Sequence, residues 1–175
     1  MVCASQPLAA QAGLDVLRRG GNAVDAAIAA AAVLTVVEPT SNGLGGDAFA
    51  QIWMDGKLYG LNSSGPAPAL ADAAFLRGRF GAVPEQGWYA VNVPGIPAAW
   101  AAINQEYGRL PLTKVLEPAI RYAREGQAIC TITCSSIQTM ANRLRENTDC
   151  GPEFDAWFQL FMPDGRLPRP GELFR

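Results

Sequence analysis

Gly20-Gly21-Asn22-Ala23-Val24-Asp25-Ala26-Ala27-Ile28-Ala29-Ala30-Ala31-Ala32-Val33-Leu34 is the most informative stretch of this chain. The glycine pair ends one segment, and Asn22 is a residue type whose side chain caps helix N-termini. Asp25 follows three positions later, where its charge complements the positive end of a helix dipole. Beyond it the run is apolar on every side of a helical projection. A helix without a polar face is buried, and its small side chains let neighbouring backbones approach closely. Pro39 closes the run. The segment is too short to cross a bilayer and carries Asp25, so it reads as a core helix rather than a membrane span.

Towards the N-terminus, Val2–Ser5 reads as a short strand, and Pro7 opens a helix at a position that suits its fixed φ. Leu8, Ala12, Val16 and Leu17 recur at helical spacing, and Arg18 and Arg19 complement the helix C-terminus before Gly20. In the other direction, the glycine-rich loop Thr40-Ser41-Asn42-Gly43-Leu44-Gly45-Gly46-Asp47 leads into a strand over Ala48–Met54. Asp55-Gly56 is a hairpin turn, Leu58–Leu61 is the return strand, and Asn62–Pro66 is a loop. Phe80–Pro97 reads as loop or edge structure, with Arg77 and Arg79 beside Gly78 in a surface turn.

Helices are then expected from Pro97 to Tyr107, from Thr113 to Glu125 and from Thr133 to Arg145. Pro118 should break or kink the second of these, and Glu117 should pair with Arg121. Phe161–Gly165 reads as a turn and Pro168–Gly171 as extended chain, with Leu167–Phe174 mobile for want of a docking partner.

Composition narrows the chemistry. With 175 residues, 49% hydrophobic and 17% charged, the chain suits one soluble domain with a core. A net charge of -2 gives no electrostatic case for nucleic acid or an anionic membrane. There is no histidine, which excludes Ser-His-Asp, Cys-His and His-dependent metal chemistry here. Cysteines stand at 3, 130, 134 and 150. A helix would put Cys130 and Cys134 on one face, but without histidines or a C-x-x-C they read as ordinary thiols rather than a metal or redox site. No basic-then-apolar leader precedes Val2, which favours the cytoplasm, with the periplasm open if the start is trimmed.

The remaining motifs have plain readings. Gly43–Gly46 could cradle an anion through backbone N–H groups, but it lies between a helix and a strand and lacks P-loop spacing. A tight connection needing positive φ explains it better. Asn22 and Asp25 are caps. Ser5, Ser41, Ser63 and Ser64 lack both a nucleophile-elbow motif and an activating histidine. Glu38, Asp47, Asp55 and Asp72 read as capping or solvated carboxylates rather than a catalytic pair.

Taken in order, several segments resemble the γ-glutamyltransferase family. They are Met1–Ala9, Gly20–Ala27, Val37-Glu38-Pro39, then Ser41, Gly43 and Gly45-Gly46, then Val93-Pro94-Gly95, Leu116-Glu117-Pro118-Ala119 and Phe161–Glu172. The resemblance runs over essentially the whole chain and covers the first part of that family's large subunit. It implies an α+β fold, the N-terminal portion of an Ntn-hydrolase αββα sandwich, helix-rich with a β-hairpin. Residues 1–175 would be a single, incomplete domain.

The resemblance also implies an amidohydrolase or acyltransferase acting on γ-glutamyl or related acyl amides, glutathione-type donors among them. Its nucleophile is the N-terminal threonine of a small subunit, whose own α-amine acts as base, so no cofactor and no metal is implied. No threonine here lies in a matching motif, so no catalytic residue is assigned in this chain, and the chain alone is expected to be inactive. The expected partners are the small subunit, or remaining C-terminal part, and a small-molecule amide, with neither nucleic acid nor membrane. Ser64 stands where the family's glutamyl-binding arginine belongs. A serine cannot make the bidentate, charge-assisted pair with a carboxylate, which points to the acylase-like branch. Two other readings stand beside this one: a non-catalytic scaffold domain retaining the fold, and a phosphate-binding enzyme using Gly43–Gly46.

Overall fold

The computed structural model describes residues 1–69, 71–85, 87–146 and 151–175. Seven helices and two small antiparallel ladders are present among them: α1 (Pro7–Arg18), α2 (Ala23–Val37), β1 (Ala48–Met54), β2 (Lys57–Ser63), α3 (Ala73–Phe80), α4 (Ile96–Tyr107), α5 (Leu112–Glu125), β3 (Gln127–Ala128), α6 (Thr131–Glu146), α7 (Asp155–Phe161) and β4 (Leu173–Phe174). The result is a helix-rich α+β arrangement with a hairpin.

The alanine helix is central, as its composition requires. Asn22 Oδ1 accepts from the N–H groups of Val24 and Asp25, and Asp25 returns a bond to the Asn22 N–H, closing a capping box. Along α2, Ile28, Ala29, Ala32, Val33 and Val37 are buried against Ala9, Ala12 and Val16 of α1, Trp100 of α4 and Val115 and Ala119 of α5. Pro7 starts α1 as expected, but Val2–Ser5 forms no strand. Among the described residues no neighbouring strand offers that segment a ladder, so its propensity goes unused.

The hairpin turns on Asp55 (φ 51°) and Gly56 (φ 76°), the left-handed pair that matches strand twist in a two-residue connection. Its register pairs Ala48 with Ser63 and Met54 with Lys57. Asn62 and Ser63 therefore belong to β2 rather than to a loop. One face, including Ile52 and Met54, packs on the helical core, and Tyr59 meets Tyr107 of α4 at 5.1 Å between centroids. The other face leaves Phe49, Trp53 and Leu58 exposed.

Four further expectations are corrected. Arg77 and Arg79 lie in α3, which Asp72 caps by accepting from the Phe75 N–H, and not in a turn. Helix α5 runs through Pro118 without a break. Glu117 pairs with Lys114 (2.6 Å) and with Arg19 (3.1 Å), the residue that caps the end of α1, not with Arg121. The tail is docked: β4 pairs with β3, the Ile129 N–H donates to Glu172 O (2.9 Å), and Phe174 stacks on Phe161 at 5.9 Å. Around them Ile129, Cys134, Ile137 and Phe161 form a second, smaller core. None of the described helices is long and apolar enough to cross a membrane.

Candidate functional site

Three loops meet at the end of the hairpin. The Gly46 carbonyl accepts from the N–H groups of Gly95 (3.0 Å) and Ile96 (3.2 Å), which ties the glycine-rich loop to the start of α4. Ser63 Oγ donates to the Gly95 carbonyl (2.8 Å), and the Val93 N–H donates to the Pro66 carbonyl (3.1 Å). Asp47 Oδ1 accepts from the Gly65 N–H (3.1 Å) and from Asn92 Nδ2 (2.6 Å). The approach is too close for side chains. A Cβ on Gly65 would lie 1.4 Å from Val93 O, and one on Gly95 would lie 1.9 Å from Ser63 O. These glycines are required by contact distance, and neither has positive φ.

Ser64 sits in this junction, one residue past β2, exposed, with its N–H donating to Asn62 Oδ1 (2.9 Å). Beside the junction opens a cleft of about 430 Å³, whose lining includes Ala31, Thr35, Ser41, Asp47, Ile96 and Trp100. Ser64 is not part of that lining. The cleft is mostly apolar, with hydroxyls from Thr35 and Ser41 and one carboxylate, a composition suited to a small organic ligand.

The other candidates are dispersed. Ser5 Oγ donates to Glu38 Oε2 (2.5 Å), Asp72 caps α3, and Asp55 shapes the hairpin turn. Each of these carboxylates has its own local task. Asp25 is fully buried and structural: besides its cap, Oδ2 accepts from the N–H groups of Arg109 (3.0 Å) and Leu110 (3.2 Å), and Oδ1 accepts from Asn104 Nδ2 (3.1 Å). In the glycine-rich loop, Gly43, Gly45 and Gly46 all lack positive φ, contrary to expectation. The Ser41 and Asn42 N–H groups both donate to Glu38 O, and within the candidate anion cradle the Gly46 N–H donates to Gly43 O (3.4 Å).

Cys130 precedes α6 and acts as its cap, with Sγ 3.2 Å from Thr133 Oγ1 and accepting from the Thr133 N–H at 3.5 Å. The Thr133 hydroxyl bond holds the Cys130 thiol below its ordinary pKa, while burial pushes Cys134 up. Both are free thiols. Cys150 lies outside the described residues. No group of three or more Cys, Asp or Glu side chains able to hold a metal occurs among the described residues.

Asp47, Gly65, Asn92 and Gly95 were not singled out by sequence as parts of one site. Glycines at 65 and 95 and the Val93-Pro94-Gly95 string were the available signal, but nothing local says that they touch.

The geometry has counterparts among known proteins. A family model described as gamma-glutamyltranspeptidase matches residues 9–175. A glutathione hydrolase-like proenzyme of Bacillus subtilis is 36% identical over 99% of this chain. The chain spans 32% of the length of that curated relative. Among solved structures, a cephalosporin acylase from Bacillus halodurans superposes with a TM-score of 0.90 at 50% identity, covering 98% of this chain and 32% of its own. The gamma-glutamyltranspeptidase of Helicobacter pylori gives 0.87 at 31% identity, covering 99% of this chain and 50% of its own.

Proposed function

Because this chain belongs to the γ-glutamyltranspeptidase family, we propose that residues 1–175 form a single, incomplete unit of an amide-cleaving hydrolase or acyltransferase. The nucleophile is supplied, as an N-terminal threonine, by polypeptide outside residues 1–175. Its hydroxyl attacks the amide carbonyl while its own α-amine takes the proton. The amine leaves, and water or a second amine resolves the acyl-enzyme. This chain contributes the three-loop junction, which positions substrate rather than reacting with it.

The observation that carries the reading is the setting of Ser64. It is exposed at the junction, at the position where the family's arginine for a γ-glutamyl carboxylate is expected. A hydroxyl supplies one neutral hydrogen bond at most, so the donor is an acyl amide without an obligatory α-carboxylate. The higher identity to a cephalosporin acylase than to a γ-glutamyltranspeptidase supports that branch.

Ser64→Arg in the complete protein tests it, with kcat/KM measured for γ-glutamyl, glutaryl and simple acyl amides. The wild type is expected to favour the simple acyl amides. The variant should gain on the γ-glutamyl donor by about tenfold to a thousandfold, the equivalent of one or two charge-assisted hydrogen bonds. A wild type that already prefers the γ-glutamyl donor, with no gain in the variant, would overturn the assignment of Ser64.

A further inference from the structure

A second cleft, of about 520 Å³, lies between α3 and the start of the 152–154 turn and shares none of the junction residues named above, although Trp88 and Tyr89 belong to the same α3–α4 connection as Asn92 and Gly95. Its lining includes Arg79, Phe80, Trp88, Tyr89, Arg143 and Glu153. The guanidinium of Arg79 lies over three rings: Phe80 at 5.3 Å, Tyr89 at 5.7 Å and Phe75 at 6.0 Å from the centroids. Those rings also contact one another, Phe75 and Phe80 each leaning on Tyr89. Arg79 is exposed, so the π-faces flank the cation on one side and leave its N–H donors open to the cleft.

Charge is unevenly committed here. Arg143 is paired with Glu85. Among the described residues no carboxylate pairs with Arg79. Trp88 lines the same cleft and is 71% exposed among the described residues, an apolar plate open to a ligand. A fixed guanidinium with open donors next to a bare indole matches an anion carried on a flat apolar body. Glu153 on the same wall disfavours a second negative charge.

We propose that this cleft binds a small planar monocarboxylate, with Arg79 taking the carboxylate and Trp88 and Tyr89 the aromatic body. The ligand is either a free aromatic acid or the carboxylated half of an amide substrate. The second source rests on the acyl-transfer reading above.

Calorimetric titration of the chain with 1-naphthoate, 1-naphthamide and 1-naphthyl phosphate tests the site without any activity. Saturable binding of naphthoate is expected, with the amide and the phosphate weaker by about tenfold or more. Arg79→Gln should abolish that preference for the acid, and Trp88→Ala should weaken naphthoate and naphthamide together. Equal binding of acid and amide by the wild type overturns the proposal, as does a folded Arg79→Gln that still prefers the acid. Should Arg79→Gln fail to fold, the acid-over-amide comparison in the wild type decides alone. In the complete enzyme, KM for anilides with and without a ring carboxylate then separates the sources. A KM rise in Arg79→Gln confined to the carboxylated anilide identifies a substrate subsite, and naphthoate binding with no such rise identifies a site for a free acid.

Discussion

Asp25 has no exposed surface, yet it makes no ion pair among the described residues. Its carboxylate is satisfied instead by four N–H donors, from Asn22, Asn104, Arg109 and Leu110. It joins the start of α2 to the connection between α4 and α5. Asp25→Ala leaves several of these donors buried without an acceptor and should lower unfolding free energy by about 3 kcal/mol or more, measured by denaturant titration. A loss below about 1 kcal/mol would mean that water replaces the carboxylate. Half of this role was legible in sequence. The cap is a local pattern, three residues long, whereas the bonds to Asn104, Arg109 and Leu110 span 79, 84 and 85 residues. No periodicity encodes a contact at that separation. Ser64 shows the same divide: the resemblance implies a substrate-site position for it, whereas the bond from its neighbour Gly65 to Asp47, 18 residues away, is visible only in the fold.

Elements with strong internal signals were legible: α1, α2, the hairpin, α4, α5 and α6 all follow from periodicity, caps and turn residues. What failed depends on neighbours. Val2–Ser5 lacks a partner strand, and the tail gains one in β3. Helix α2 offers a direct test of packing. Ala29 is fully buried in the core shared with α1 and α5, and Ala30 is nearly buried beside the N-terminal segment Met1–Ala4. Leu at either position overpacks the contact and should cost about 1–3 kcal/mol, read as a lower unfolding midpoint. An unchanged midpoint for both would remove α2 from the core. The docked tail offers a pH test. Arg166 donates to Glu172 Oε2 at 3.0 Å, and the Arg169 N–H donates to the same oxygen. The Arg166 bond first, then the Arg169 N–H, hold the Glu172 carboxyl below its ordinary pKa. The folded state therefore takes up that proton later than the unfolded chain as pH falls. The bond contributes fully above the ordinary carboxylate range and is lost as pH falls through the lowered value. Amide protection factors at Ile129 and Gly171, whose N–H groups fix the tail, should fall over that acidic window. Glu172→Gln should flatten the dependence. Equal pH dependence in both proteins would show that another group anchors the tail.

At the scale of the molecule, the outer face of the hairpin is a bare apolar surface. Phe49 is 69% exposed, Trp53 71% and Leu58 61%, and the β1–β2 register sets Trp53 directly opposite Leu58. A two-stranded ribbon with one covered face and one bare apolar face is a half-finished layer. Contiguous apolar surface of this kind marks an interface rather than a solvent boundary. The chain spans 32% of the length of the Bacillus subtilis relative; in a protein of that relative's length, the further polypeptide is expected to cover this face. Trp53→Lys separates the two settings. In the chain alone it removes exposed apolar surface and adds charge, so it should raise solubility and lower binding of a hydrophobic dye. In the complete protein it buries an ammonium against apolar side chains and should lower unfolding free energy by about 2 kcal/mol or more. Opposite signs of effect in the two proteins are the expected result. If Trp53→Lys leaves the unfolding midpoint of the complete protein unchanged, this face stays in water there, and the remaining polypeptide docks on another surface of the unit.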